Sequence, residues 1–506
     1  MSQFKSAHTP RAGARAGAHV GARDGAHAGA HVGAHAGAHA GARAGAHAIA
    51  RPQKLVQAQM LRWLVPPLRP LRAEDILKAA DGAAASVAEA TPAASAVSAA
   101  EAPSAALAAE FAAVAAEVAA AKTRLDDIPP AAFAPLARGL DLYAGLKRTM
   151  RAEYGVPVAT NATLKIFEML SGLPAVPWAG PLAAGAGGVR AFCNAELPGA
   201  FLVGVNQYAR QLPAALDWAA SSYVPDRAAG VAADQTILDD EYGFLAGNPE
   251  RWLVTARPDA PGPAGNGDMT AAAVVAAAAA EARARFAGPT GRGATLYTSD
   301  AGIDVTDDYN NQEAATAVLN FGQVLCGVLA LAPGGSLITK QYEFTMPFNR
   351  QLLMVLAGLF ETLEIVKPRT SRPANSEVYV FGAGFRGIDP EGGLAQALLG
   401  RLAAARAAAA AAPGRALPAD FELLEVSGHN PDADRALLRV ARELAHNQCR
   451  YLLEMVAVME SCGARDIQQC VGEFARPAAK RAVASWLRAN PLRQLPASDQ
   501  IRAARL

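Results

Sequence analysis

The sequence predicts an α/β fold: a mostly parallel sheet with helices on both faces, a final antiparallel strand, and a helical extension behind it. Three observations lead there. Short apolar runs alternate with longer stretches of helical spacing through the middle of the chain, as strands joined by crossover helices do. Glycine-bearing turns accompany these runs. The last two runs are joined by a segment too short for a crossover helix, so they must be antiparallel neighbours.

Arg190 to Ala195 reads as the first buried strand, Glu196 to Ala200 as a turn, and Phe201 to Gln211 as a helix. The order recurs with the strand Ala294 to Ser299, the turn Asp300-Ala301-Gly302 and a helix from about Gln312. A third strand, Ser336 to Gln341, follows the turn Ala332 to Gly335, and Met346 to Phe360 is helical again. Glu361 to Val366 and Glu377 to Phe381 form the antiparallel pair around the bend Lys367 to Asn375. Beyond Pro390 the chain is helical, with Leu437 to Met459 spaced for packing, a shorter helix Ala479 to Leu487, and an alanine run from Ala403 to Ala412 that suggests compositional drift. The most apolar stretch, Ala314 to Ala332, contains Asn320 and Gln323 and reads as a buried core helix, not a membrane span.

The front of the chain differs. Residues 1–50 are expected to be a disordered tail of Gly, Ala, His and Arg repeats, and residues 51–130 an alanine-rich helical or linker segment, interrupted by Pro92 and Pro103. His27, His31, His35 and His39 recur every fourth position and would line one face of a helix as metal ligands. Glycine at the same period opposes that helix, so disorder is the expectation and no metal site is assigned. Seven of the nine histidines fall in this tail, which makes a histidine-based mechanism in the body improbable.

Of 506 residues, 52% are hydrophobic, and 47 Lys+Arg balance 46 Asp+Glu; this excludes a wholly basic nucleic-acid coat and an acidic disordered chain. The excess of positive charge sits at the front, with ten Lys/Arg through residue 73 against Asp24 alone, as in an RNA-binding arm, a transit-like leader or an inert tail. Cys193, Cys326, Cys449, Cys462 and Cys470 form no CxxC pair and read as buried thiols of a reducing compartment. No secretory leader is visible, and a cytoplasmic setting is expected, with the nucleus left open.

Ligands of an open parallel sheet bind outside the carboxyl ends of its strands. Asp300 ends one strand, Lys340 lies near the end of the next, and Glu377 begins the antiparallel strand, so all three converge on one rim. A lysine between carboxylates can stabilise a developing alkoxide while the carboxylates hold it and tune its pKa.

Six segments come in order: Asn161 to Glu168, Asn194 to Phe201, Gly267 to Thr270, Thr298 to Gly302, Gly334 to Lys340, and Lys367 to Tyr379. Together, over about residues 150–386, they resemble the FtsJ-like family of ribose 2′-O-methyltransferases, especially its cap-methylating members from eukaryotes and large DNA viruses. It implies a Rossmann-like S-adenosylmethionine methyltransferase domain over 131–390, followed by the helical extension 391–506. It places a catalytic tetrad on Lys165, Asp300, Lys340 and Glu377, with Lys340 promoting deprotonation of a ribose 2′-hydroxyl, Lys165 and Asp300 orienting the reactants, and Glu377 anchoring the set. S-adenosylmethionine is the implied donor, held by Glu196, Pro198, Gly199 and Asp268. Asp217, taken to follow a strand at Leu216 to Trp218, is a candidate for the donor's ribose hydroxyls, with Asp240 as competitor.

Two departures from the family pattern stand out: Ala200 and Ala301 replace glycines. Arg369 and Arg372 either contact phosphate or cap, or fasten their own loop. Trp218, Tyr242 and Trp252 could stack a base but more often such rings pack in a core. The implied partner is RNA, the capped mRNA 5′ end first, with capping-complex proteins beside it and no DNA or membrane. The long insert between Trp218 and Asp268 favours the cap-type group. Ribosomal or transfer RNA ribose methylation, and an inactive RNA-binding subunit of a capping complex, are the alternatives. If the chain is viral, the setting is host cytoplasm or virion.

Overall fold

The computed structural model describes residues 60–76, 102–173, 188–212, 215–224, 239–255, 266–288, 293–303, 311–425, 430–462 and 467–504. The histidine repeat of residues 1–50 and residues 77–101 of the alanine-rich segment lie outside them. Seven strands make one sheet: β1 (Leu61–Val65), β2 (Val189–Asn194), β3 (Leu216–Ser221), β4 (Ala294–Ser299), β5 (Leu331–Gln341), β6 (Phe360–Lys367) and β7 (Val378–Phe385). Across the sheet they run β1-β6-β7-β5-β4-β2-β3. β3, β2, β4 and β5 are mutually parallel, while β7 runs against both β5 and β6. The final antiparallel strand is therefore last in chain order but interior in the sheet. The carboxyl ends of β2 to β6 and the amino end of β7 share one rim.

Strand alternation separates two cores. Ala191 and Cys193 point to one face and Phe192 to the other; Tyr379, Phe381 and Ala383 oppose Val378 and Val380 in the same way. On the first face pack α1 (Ala102–Thr123), α6 (Ala272–Arg285), α7 (Gln312–Ala330), α8 (Pro347–Leu359), α9 (Gly393–Ala411) and the first two-thirds of α10 (Pro431–Cys462). The second face is covered by α2 (Pro130–Gly139), α3 (Ala144–Tyr154), α4 (Asn161–Gly172), α5 (Ala200–Ala209) and α11 (Ile467–Ala489). α7 is the one described helix long and apolar enough to cross a bilayer, and it is mostly buried in the first core.

Three elements depart from expectation. β1 lies within the presumed linker: Leu61–Val65 pairs antiparallel with β6, and Arg62 reaches Glu364 of β6 with Nε at 2.6 Å and Nη2 at 2.7 Å. Residues 332–335, expected as a turn, belong to β5; Gly334, at φ +78°, and a register shift opposite Ala294–Leu296 absorb the irregularity. The alanine run after Ala403 is part of α9, which buries Leu398, Leu402, Ala405 and Ala409 at helical spacing, so small residues there allow close packing. Cys193, Cys326, Cys449 and Cys462 are buried, with no disulfide among them.

Candidate active site

Lys165 sits in the first half of α4, a helix that begins after Thr160, whose hydroxyl accepts from the Thr163 amide. Although a helical lysine is usually solvated, Lys165 is only 2% exposed. Its Nζ lies 2.6 Å from Glu377 Oε1, which also accepts from Ser371 Oγ at 3.0 Å. Glu377 thus pairs with Lys165. Beside this pair, Lys340 near the end of β5 places Nζ 3.1 Å from Asp300 Oδ1 and donates to the Asp300 carbonyl at 3.1 Å. The Tyr379 hydroxyl donates to the same Asp300 Oδ1 at 2.9 Å. The absent side chain of Gly302 leaves room for the ammonium, since a Cβ there would lie 3.0 Å from Lys340 Nζ.

The two pairs act on each other. Burial alone would raise the Glu377 carboxyl, but the ammonium groups of Lys165 and Lys340 overcome it and hold Glu377 below the usual range. Asp300 is raised by burial, an effect that Lys340 and Lys165 only partly reverse. Burial would lower Lys340; Asp300, Tyr342 and Glu377 more than offset this and raise it. Lys340 is therefore an ammonium at neutral pH. It can stabilise an alkoxide electrostatically, whereas a free-amine base role is disfavoured.

Four residues that carry this arrangement are given no role by the sequence alone, although Glu168, Ser371 and Tyr379 lie in the family-like segments. Tyr379 is two residues beyond Glu377, a spacing that puts both on one face of a strand; Tyr342 lies beside Lys340, and Ser371 and Glu168 hold the 367–377 loop. Arg369, a candidate for phosphate or cap, is 7% exposed and committed to Glu168, its amide at 2.8 Å and Nε at 3.2 Å from Oε1.

The expected donor residues divide. Glu196, Pro198 and Gly199 form the loop after β2, on the shared rim. Glu196 is buried, its carboxyl raised by burial against the helix-start amides of Leu202 and Phe201, and Oε1 accepts from Leu202 at 2.6 Å. It organises the loop by capping α5. Gly199, at φ +111°, begins that helix with the Phe244 ring close enough that a Cβ would meet Cδ2 at 2.4 Å. The methyl of Ala200 packs against the second core. Asp268 follows Gly267, whose φ of +75° lets its backbone cross that of Ser222 at the end of β3. Asp268 accepts from the Thr270 amide at 3.0 Å and from Arg406 Nη2 at 3.0 Å.

Asp217 is a correction. It is the second residue of β3, not a residue beyond its end, and lies opposite Arg190, about 13 Å along the strand from Ser221 at the rim. Its Oδ1 accepts from Arg251 at 2.8 Å and Arg285 at 3.1 Å, so it cannot serve a ligand on that rim. Asp240 caps a one-turn helix through the amides of Leu245 and Ala246. The residue that does stand at the end of β3 is Tyr223, 38% exposed beside Asp268; Ile303, beyond Asp300, is 44% exposed. Trp218 and Trp252 are core residues, and Tyr242 stacks on Phe244. Among the described residues, no cluster of three or more His, Cys, Asp or Glu is placed to hold a metal ion.

The mixed α/β sheet thus carries at one rim a buried pair, Lys165–Glu377, and a part-buried pair, Lys340–Asp300, beside a glycine-bearing loop. Residues 254–385 match the model of the FtsJ-like methyltransferase family, in keeping with the mixed α/β sheet. The chain is 35% identical over 250 residues to a "Probable methyltransferase EP424R" of African swine fever virus, spanning 48% of this chain and 53% of that protein. It is 29% identical over 251 residues to an uncharacterized protein of Acanthamoeba polyphaga mimivirus, spanning 49% of this chain and 29% of that one. A shorter match, 40% over 93 residues, joins it to "Cap-specific mRNA (nucleoside-2'-O-)-methyltransferase 1" of Trypanosoma brucei brucei, over 18% of this chain and 25% of that protein. The chain spans about half the length of the swine fever virus relatives, and less of the others.

Proposed function

We propose that the chain is an S-adenosylmethionine-dependent RNA ribose 2′-O-methyltransferase acting on the first transcribed nucleotides of capped mRNA. The observation that carries this reading is the convergence of Lys165, Asp300, Lys340 and Glu377, from four separate stretches of the chain, into one buried and one part-buried ion pair at the carboxyl rim. The rim suits an adenosyl donor: it offers the exposed Tyr223 ring, the Asp268 carboxylate, and the loop that turns at Gly199. Bound there, the donor would supply a methyl group activated by its sulfonium charge.

The chain's own groups do the rest. Lys340, fixed by Asp300, holds the 2′-oxygen and stabilises the negative charge that develops on it as the methyl bond forms and the hydroxyl proton passes to solvent water. Tyr379 keeps the Asp300 carboxylate aimed at Lys340. Lys165 and Glu377 complete the wall of the site without net charge. Because the displacement requires in-line approach, alignment contributes much of the acceleration. The cap-type preference rests on the relatives' printed names and the long insert before Asp268.

The test is transfer from labelled S-adenosylmethionine to matched capped and uncapped RNAs. Label on the first or second nucleotide of capped RNA alone is expected. Equal labelling of uncapped RNA would move the substrate to structured RNA, and no labelling despite donor binding would leave an inactive subunit.

A further inference from the structure

We infer that Trp486, in the helical extension far beyond the family-matched residues, is a positioning residue for the four-group centre. The inference rests on the functional reading above. Trp486 is fully buried on α11, and its indole Nε1 donates to Glu168 Oε2 at 3.1 Å. Glu168 is three residues past Lys165 on α4, hence on the same side of that helix. The same carboxylate collects four more bonds from the loop that ends in Glu377: the Arg369 amide and Nε on Oε1, and the Thr370 amide at 3.3 Å and hydroxyl at 3.0 Å on Oε2. Next in that loop, Ser371 donates to Glu377 Oε1, the oxygen that Lys165 holds.

A closed circuit follows: α11 to Glu168, Glu168 to the loop, the loop to Glu377, Glu377 to Lys165, and Lys165 back along α4 to Glu168. Every member is buried, so no water can replace a lost donor cheaply. The Trp486 ring also lies 6.0 Å from that of Phe167, at 39°, which fixes the indole's plane. The extension therefore reaches the catalytic centre through a hydrogen bond and is more than a cover.

The experiment uses the full chain with Trp486→Phe, which keeps a smaller aromatic ring and deletes the donor, and Thr370→Val with Thr370→Ser as its conservative control. Trp486→Phe and Thr370→Val should each lower kcat between about 10-fold and 100-fold, with KM for RNA and donor unchanged; Thr370→Ser should restore most of the loss. A second readout is independent of turnover. With all nine lysines 15N-labelled, the Lys165 ammonium resonance, identified by its loss in Lys165→Arg, should shift in Trp486→Phe. Wild-type kcat in both variants with an unmoved resonance would overturn the inference. A moved resonance in a chain that transfers no methyl would support the linkage and overturn only the functional reading.

Discussion

Lys165 and Glu377 are a buried ion pair, and burial makes removal of one partner far costlier than removal of both. Lys165→Met should lose about 3–5 kcal/mol of unfolding free energy in denaturant titration. Adding Glu377→Gln should recover much of that stability and none of the methyl transfer. The pH dependence has a definite sign. Glu377 lies below its unfolded value of 4.5, so its contribution to stability is present above that value and lost as pH falls through the folded pKa. Lys340 lies above 10.5, so its contribution is present below that value and lost only as pH rises through the higher folded pKa. Activity should accordingly fall on the acid side, through an Asp300 pKa above 3.8, and stay level across the ordinary lysine range. Removing the hydroxyl that steadies the ionised Asp300, in Tyr379→Phe, should move that acid limb up by about one pH unit in a rate–pH profile.

At the scale of elements, Gly199 is where the donor loop becomes α5, and its positive φ and the nearby Phe244 ring leave no space for a side chain. Gly199→Ala should cost more than about 1 kcal/mol and weaken donor binding at least several-fold by calorimetry. The elements carrying Asp300, Lys340 and Glu377 were legible in the sequence, because strand, turn and helix signals alternate there and the short bend requires antiparallel pairing. β1 was not: Leu61–Val65 is five residues long, half exposed, and becomes a strand because β6 offers an edge and Glu364 receives Arg62. Asp217 failed for a related reason. Leu216 to Trp218 looked like a whole strand but is only the first half of β3, which reversed the end of the sheet on which Asp217 lies. The burial of Lys165 was foreshadowed only by family pattern, since the fold that buries it depends on α11, some 300 residues away.

For the whole molecule, the extension completes the second core: Val471, Ala475, Ala478, Ala482 and Trp486 of α11 pack with Leu136, Leu146 and Phe167. The tail beyond it binds along α5, where Asn206 and Gln207 donate to the carbonyls of Asp499 and Arg493. A chain ending at residue 462 should therefore lose cooperative thermal unfolding and aggregate on size exclusion. Trp486→Ala alone should cost about 3–5 kcal/mol. The family match at 254–385 omits Lys165 on α4, so those residues alone lack one of the four charged groups of the proposed site.

The most direct measurement is methyl transfer to capped RNA carrying either ribose or 2′-deoxyribose at the acceptor nucleotide, with Lys340→Ala alongside. This account predicts label on the ribose substrate only, lost with Lys340→Ala. Equal labelling of the 2′-deoxy RNA, or an unimpaired Lys340→Ala, would contradict it.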